Sequence, residues 1–166
     1  MNLKSKKGFT LVELIIVIAI LGIIALIAVP SLTGVQQRSQ VNADLRTAEQ
    51  IGKAVRIWLT DTGAGDAEAR KTAIANWTAL DSIGNNITEY ITTDYVPKSY
   101  LTSGGEYFVK LTAGGTTGTD RRILVGIGHG SFTATSEQYK AGNAAGIAYI
   151  EGVSELSSAT ISAYVN

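Results

Sequence analysis

The chain has 166 residues, and its 14 lysines and arginines balance its 14 aspartates and glutamates, so the formal net charge at neutral pH is zero. The basic residues form no long cluster of the kind that contacts phosphates, which argues against a dedicated nucleic-acid-binding protein. The absence of cysteine excludes disulfide bonds, thiolate metal sites and thiol catalysis. A chain of this length accommodates one globular domain and one additional segment.

A short basic leader precedes a long apolar segment. Residues 1–8 contain three lysines and end in Gly8, whereas residues 9–29 are predominantly apolar and carry a single charge, at Glu13. As an α-helix the apolar segment would be about 31 Å long, which is close to the hydrocarbon thickness of a bilayer. Because basic flanks remain cytoplasmic, the pattern predicts one membrane span with the remainder of the chain outside the cell.

Two ordinary interpretations of this segment explain less of the pattern. A cleaved secretory signal peptide has a shorter apolar region and a small-residue cleavage site after it, and neither is found here. A plain signal anchor explains the lysines and the apolar run but does not explain Glu13. An ionisable group inside such a segment indicates a functional role and requires a partner.

Residues 8–13, with the sequence GFTLVE, resemble the class III signal of type IV pilins and type II secretion pseudopilins. The resemblance implies that a prepilin peptidase recognises a leader containing Lys6 and Lys7, cleaves between Gly8 and Phe9, and leaves Phe9 to be N-methylated. The short leader and the aromatic first residue are closer to the type IVa branch than to type IVb. The missing disulfide favours a Gram-positive pilin.

The same resemblance makes Glu13 the acidic residue at the fifth position of the trimmed chain. We expect its carboxylate to pair with the amino terminus of Phe9 in a neighbouring subunit, which would replace a costly lone charge with an ion pair and set the axial register of the apolar helices. The alternative is that Glu13 only stabilises the first turn against the helix dipole. Residues 9–30 would be a membrane anchor first and the core of a filament afterwards.

Beyond the apolar run, the pattern predicts a helix that changes character. Gly22 and Pro30 weaken helical hydrogen bonding, and the family resemblance suggests that this stretch loosens when the helix packs in a filament. Residues 31–60 continue as an amphipathic helix with one buried stripe. The members of that stripe are Val35, Val41, Leu45, Ala48, Ile51, Val55, Trp58 and Leu59.

The remaining chain predicts an α+β body in which a small antiparallel sheet packs on the helical stripe, as in the pilin fold. A second helix is expected over residues 66–80, and residues 107–112 and 122–127 are expected to form a hairpin. Residues 146–150 fit either a strand or a helix. The predicted organisation is a leader (1–8), an apolar helix (9–30) and a headgroup (31–166). Packing of Tyr139, Tyr149, Ile161, Tyr164 and Val165 is expected to anchor the carboxyl end.

Short motifs that suggest chemistry have simpler explanations. The sequence DTGA at residues 61–64 is similar to an aspartic-protease segment, but a helix stop with a turn explains it better. His129 is the only histidine and lacks a second ligand or a triad partner in the sequence. The glycines of residues 126–130 do not open a helix as a phosphate loop would. No enzymatic activity, cofactor or metal is therefore predicted.

These observations predict a structural subunit of type IV pilus filaments that supports adhesion, surface motility or biofilm formation. The expected partners are further copies of the chain, prepilin peptidase, the membrane before assembly, the pilus assembly machinery and minor pilins, and nucleic acid is not indicated. The alternatives are a type II secretion pseudopilin and a minor pilin. A membrane-tethered enzyme is a third hypothesis, and it lacks a catalytic constellation in the sequence.

Overall fold

The computed structural model of the protein describes residues 9–61, 66–83, 87–91, 97, 104–112, 121–130, 132, 137–140 and 145–165. Its order of helices and strands confirms the predicted α+β class, with a long first helix and an antiparallel sheet. The elements are α1 (Leu11–Thr60), α2 (Ala67–Ala73), β1 (Thr78–Ala79), β2 (Gly105–Leu111), β3 (Ile123–His129), β4 (Gly146–Ile150) and α3 (Ser158–Val165), with 3₁₀ turns at Leu80–Ile83 and Thr88–Tyr90.

The chain divides into two compact units, Met1–Gln37 and Arg38–Asn166. In the first unit residues 9–27 are all exposed, and Phe9 is 91% exposed. Gly22 and Pro30 both lie within the bounds of α1, and the loosening expected around them stays a prediction. Over the part of the chain that the structure describes, no helix combines the length and the apolar character that crossing a membrane requires.

In the second unit, α1 packs one apolar stripe on the sheet, as its spacing predicts. Seven of the eight predicted stripe residues belong to this packing, and Leu45 is the member that is only partly buried. Val35 is the exception, because it is 65% exposed, and the buried stripe begins only at Val41. The partners of α1 on the sheet are Tyr107, Val109, Leu111, Ile123, Val125 and Ile127.

The sheet is antiparallel throughout, in the order β1-β2-β3-β4. The predicted hairpin is confirmed, since β2 pairs with β3 in a register that places Val109 opposite Val125; the expected turn at residues 113–120 lies outside the described residues. Residues 146–150 form a strand rather than a helix. These residues, β4, pair with β3. This long-range pairing decides between the strand and the helix, which the local sequence did not.

The predicted second helix over residues 66–80 is wrong in its extent. Asp66 caps α2 by accepting a hydrogen bond from the backbone N–H of Glu68 at 2.9 Å, but the helix ends at Ala73. The chain then reverses, and Thr78–Ala79 joins the sheet as β1. Pairing with β2 satisfies backbone groups that a longer α2 would have satisfied internally.

A second apolar core lies on the sheet face opposite α1. Alternation along β2 directs Phe108 to this face, where Phe132 stacks on it with ring centroids 5.6 Å apart. Helix α3, which the sequence analysis did not predict, contributes the fully buried Ile161. Of the residues expected to anchor the carboxyl end, Tyr139 and Ile161 are buried, Tyr149 and Tyr164 are partly buried, and the side chain of Val165 lies outside the described set.

Candidate functional site

The first turn of α1 is organised by a reciprocal pair of hydrogen bonds between Thr10 and Glu13. The carboxylate Oε2 of Glu13 accepts from the backbone N–H of Thr10 at 2.9 Å and from its hydroxyl at 3.0 Å. In return, the Thr10 hydroxyl oxygen accepts from the backbone N–H of Glu13 at 3.3 Å. This is a capping box, which satisfies two amide groups that have no partner inside the helix.

The capping box was missed in the sequence analysis, although its signature of a threonine followed three residues later by a glutamate is present in the chain. Because Thr10 and Glu13 both follow Phe9, removal of residues 1–8 would leave the box intact. The expectation that Glu13 stabilises the first helical turn therefore has a specific partner in the structure.

The cap uses only half of the Glu13 carboxylate. Both bonds from Thr10 end on Oε2, and no hydrogen bond to Oε1 is found among the described residues. Glu13 and Phe9 are both exposed, so Oε1 is accessible to a cation from another molecule. Lys6, Lys7 and Gly8, the residues expected to direct cleavage, lie outside the described residues.

The apolar side chains around this cap are unusually exposed for a soluble domain. In residues 9–27 the large hydrophobic side chains range from 49% exposure at Val17 to 91% at Phe9. Contiguous apolar surface of this kind marks a site for association, and burial is favourable by about 25 cal/mol per Å². The geometry therefore combines an apolar helical surface with one accessible carboxylate oxygen near its amino end.

The motifs considered for catalysis are occupied by structural contacts. Asp61 directly follows α1, and residues 62–64 of its motif lie outside the described residues. The Asp61 carboxylate accepts from the Tyr90 hydroxyl, and its backbone oxygen accepts from Arg70 Nη2 at 2.7 Å. His129 Nδ1 lies 2.7 Å from the backbone oxygen of Gly104. The described residues include no group of three or more acidic, histidine or cysteine side chains that could hold a metal.

The glycines near the end of β3 serve packing. A Cβ atom added at Gly126 would lie 2.6 Å from the Phe132 ring, and one added at Gly128 would lie 2.9 Å from it. The ring of Phe132 thus lies directly on the strand backbone, and Trp77 covers it with ring centroids 4.5 Å apart. Gly126 and Gly128 therefore make room for an aromatic ring beside this strand.

Comparison with protein families finds the prokaryotic N-terminal methylation motif at residues 3–29. This range contains Lys6, Lys7, Gly8, Phe9 and Glu13. The match covers the motif and leaves the headgroup unmatched. It confirms the resemblance to the pilin signal described from residues 8–13.

Several fimbrial and pilin proteins are similar to part of the chain. The chain is 40% identical over 73 residues to the type IV major fimbrial protein FimA of Dichelobacter nodosus, covering 44% of each chain. It is 34% identical over 101 residues to the type IV major pilin protein PilE1 of Neisseria gonorrhoeae, covering 56% of this chain and 47% of the relative. A fimbrial protein of Pseudomonas aeruginosa is 54% identical over 39 residues, about a quarter of each chain.

The chain spans about half the length of the relatives it matches. No solved structure is matched, so the headgroup is described by its own sheet and helices. The names of these relatives are those of fimbrial and pilin proteins, which supports the prediction of a structural rather than an enzymatic protein.

Proposed function

We propose that this chain, about half of which is similar to type IV major pilins, is a structural subunit of a type IV pilus. The observation that carries the proposal is the methylation motif at residues 3–29 joined to a helix with an exposed apolar surface over residues 9–27. Copies of the chain associate through these helices into an extracellular filament. The filament supports adhesion, surface motility or biofilm formation.

In this proposal a prepilin peptidase trims the chain between Gly8 and Phe9, and Phe9 is then methylated. The new amino group of one subunit pairs with Glu13 of a neighbour. The accessible Oε1 of Glu13 supports this role, because Oε2 already accepts two hydrogen bonds from Thr10. A methylated amine stays basic, so methylation preserves the charge pair.

Before assembly, residues 9–29 hold the chain in the cytoplasmic membrane with the headgroup outside. The support for this step is the composition of the segment, whose one charged residue is Glu13 and whose basic flank favours a cytoplasmic amino terminus. The apolar helix leaves the lipid when other copies offer an equivalent apolar surface. The assembly machinery and minor pilins would act on the chain at this stage.

The decisive experiment is mass spectrometry of filaments sheared from cells that express the chain. We expect an abundant mature peptide that begins at methylated Phe9, because only the trimmed chain has the amino group that pairs with Glu13. Gly8→Val is expected to keep the Met1 terminus and to give no filaments, since the bulky side chain obstructs cleavage at the junction. Gly22→Ala is the matched control for processing alone, because nothing lies within 4 Å of a Cβ atom added there.

An uncut Met1 terminus in wild-type filaments would contradict the proposal, and so would a mature chain found only in membranes. A trimmed chain present at trace levels among filaments of another subunit would instead identify a minor pilin. If Gly8→Val and Gly22→Ala are cleaved equally well, Gly8 is not part of the cleavage site.

A further inference from the structure

A group of charged side chains joins three parts of the second unit. Glu151 follows β4, and its Oε1 accepts a hydrogen bond from Nε of Arg56, on α1, at 2.6 Å. Oε2 of Glu151 accepts from Nη2 of Arg56 and from the backbone N–H of Ile123, the first residue of β3, at 3.1 Å. Arg56 Nη2 also donates to the backbone oxygen of Arg121 at 3.0 Å. One carboxylate thus connects α1 with β3 and β4.

Arg122 extends the same group toward the carboxyl end. Its Nη1 donates to the backbone oxygen of Glu151 at 3.0 Å, and its guanidinium carbon lies 5.0 Å from the centroid of the Tyr164 ring in α3. Between these contacts the chain reverses at Gly152, whose φ of 73° favours glycine. Arg122 therefore contacts the residue that precedes the segment of residues 152–165 and, through Tyr164, the helix near its carboxyl end.

Residues 152–165 place few apolar side chains in the core. Ile161 is the only buried side chain among residues 152–164, although Val153, Leu156 and Tyr164 pack partly against the second core. Segments with few buried contacts open locally at a lower free energy than the core does. The contacts of the Glu151 carboxylate fix the residue from which this segment leaves the sheet, and they add to its few apolar contacts.

We propose that Glu151 is a charge-operated clasp that keeps residues 152–165 over the second face of the sheet and releases them, as a unit, when its carboxylate loses its charge. Loss of the Glu151 charge leaves Arg56 partly buried without its anion, and release relieves this costly state. It also uncovers the sheet face that carries Leu124 and Ile150. This inference does not rest on the proposed function.

The charges around Glu151 determine the pH at which the clasp opens. Burial by itself would raise the pKa of Glu151, but hydrogen bonds from Arg56 and the Ile123 amide, with the charges of Arg56 and Arg122, lower it below its ordinary value of 4.5. Tyr149 also faces this group, and burial raises its pKa above 10.0, so it stays neutral. A lowered carboxylate pKa means that the clasp is intact above pH 4.5 and opens as the pH falls through the lower, folded-state pKa.

The test is amide hydrogen exchange of the full chain in detergent micelles at neutral pH. In Glu151→Gln we expect exchange of residues 152–165 to accelerate by about tenfold or more, with unchanged exchange in β2, β3 and residues 38–60 of α1. Glu155→Gln is the matched control in the same segment. Its carboxylate is exposed, and the described residues offer it no hydrogen bond or ion pair.

Unchanged exchange in Glu151→Gln would overturn the proposal, as would equal acceleration over the whole second unit, which indicates general stabilisation. If Glu151→Gln does not fold, the wild-type chain provides the test through methyl NMR of Ile161 and Ile127. The Ile161 resonance should shift with a midpoint below pH 4.5 while that of Ile127, in the first core, stays constant. Simultaneous shifts, or none down to about pH 3, would refute the clasp.

Discussion

Glu13→Val is expected to abolish filament assembly while leaving removal of residues 1–8 intact. The valine makes the start of α1 uniformly apolar, so neighbouring helices would lose both the proposed ion pair to the Phe9 amino group and the register that this pair would set. Electron microscopy of the sheared fraction should show no filaments, and mass spectrometry of the membrane fraction should show the trimmed chain. We expect filament yield to fall by about a hundredfold or more, because each subunit in the filament lacks the same contact.

Glu13→Gln separates the charge from the helix cap. Glutamine also completes a capping box with Thr10, so this variant keeps the first turn of α1 and removes only the negative charge. We expect it to assemble as poorly as Glu13→Val. Thr10→Ala is the opposite control, because it removes the hydroxyl that contacts Glu13 and keeps the carboxylate.

Normal filaments from Glu13→Gln, together with defective filaments from Thr10→Ala, would show that Glu13 acts through the cap. That outcome would refute the intermolecular charge pair. If both variants form normal filaments, the amino-terminal end of α1 is not part of the assembly site.

Gly52→Ala is expected to destabilise the headgroup, although the same change in most helices is stabilising. Alanine is ordinarily favoured over glycine in a helix interior by about 0.5–1 kcal/mol. At Gly52, however, an added Cβ atom would overlap the Tyr149 ring, which lies across α1 at this point. Overpacking of this kind costs about 1–3 kcal/mol, so the net effect on the free energy of unfolding should be a loss. Urea unfolding of the full chain in detergent, followed by near-ultraviolet circular dichroism, measures it.

Gly34→Ala is the matched control on the same helix, since nothing lies within 4 Å of a Cβ atom added there. We expect it to be neutral or stabilising. A double-mutant cycle with Tyr149→Ala should recover most of the loss in Gly52→Ala, because the obstructing ring is gone. If Gly52→Ala unfolds at the same urea concentration as Gly34→Ala, the close approach of α1 to β4 is wrong.

Much of the helical part of this protein follows from local sequence. The run of apolar residues with one glutamate, and the three- and four-residue spacing from Val41 to Leu59, both imply a helix with a defined apolar surface. The β2–β3 hairpin was equally accessible, because strand-forming residues flank a glycine-rich segment. The capping box of Thr10 and Glu13 was also present in the sequence and was overlooked.

Other features had no local signal. Residues 78–79 look helical in isolation, and they form β1 because β2 offers backbone partners there. Helix α3 has no charged residue in its first turn or last turn, and it is held by the second core through Ile161. Val35 continues the helical spacing and is nevertheless exposed, since the spacing alone does not show where packing on the sheet begins.

The amino-acid sequence by itself determined the features that depend on neighbouring residues: the N-terminal methylation motif, the apolar helix with Glu13 and the hairpin. Only the tertiary structure decided which residues separated in the chain meet, such as Gly52 with Tyr149 and Arg56 with Glu151. The physical reason is the separation along the chain over which each kind of interaction acts. Helix periodicity and capping act within a few residues, whereas close packing and partly buried ion pairs depend on groups brought together by the whole fold.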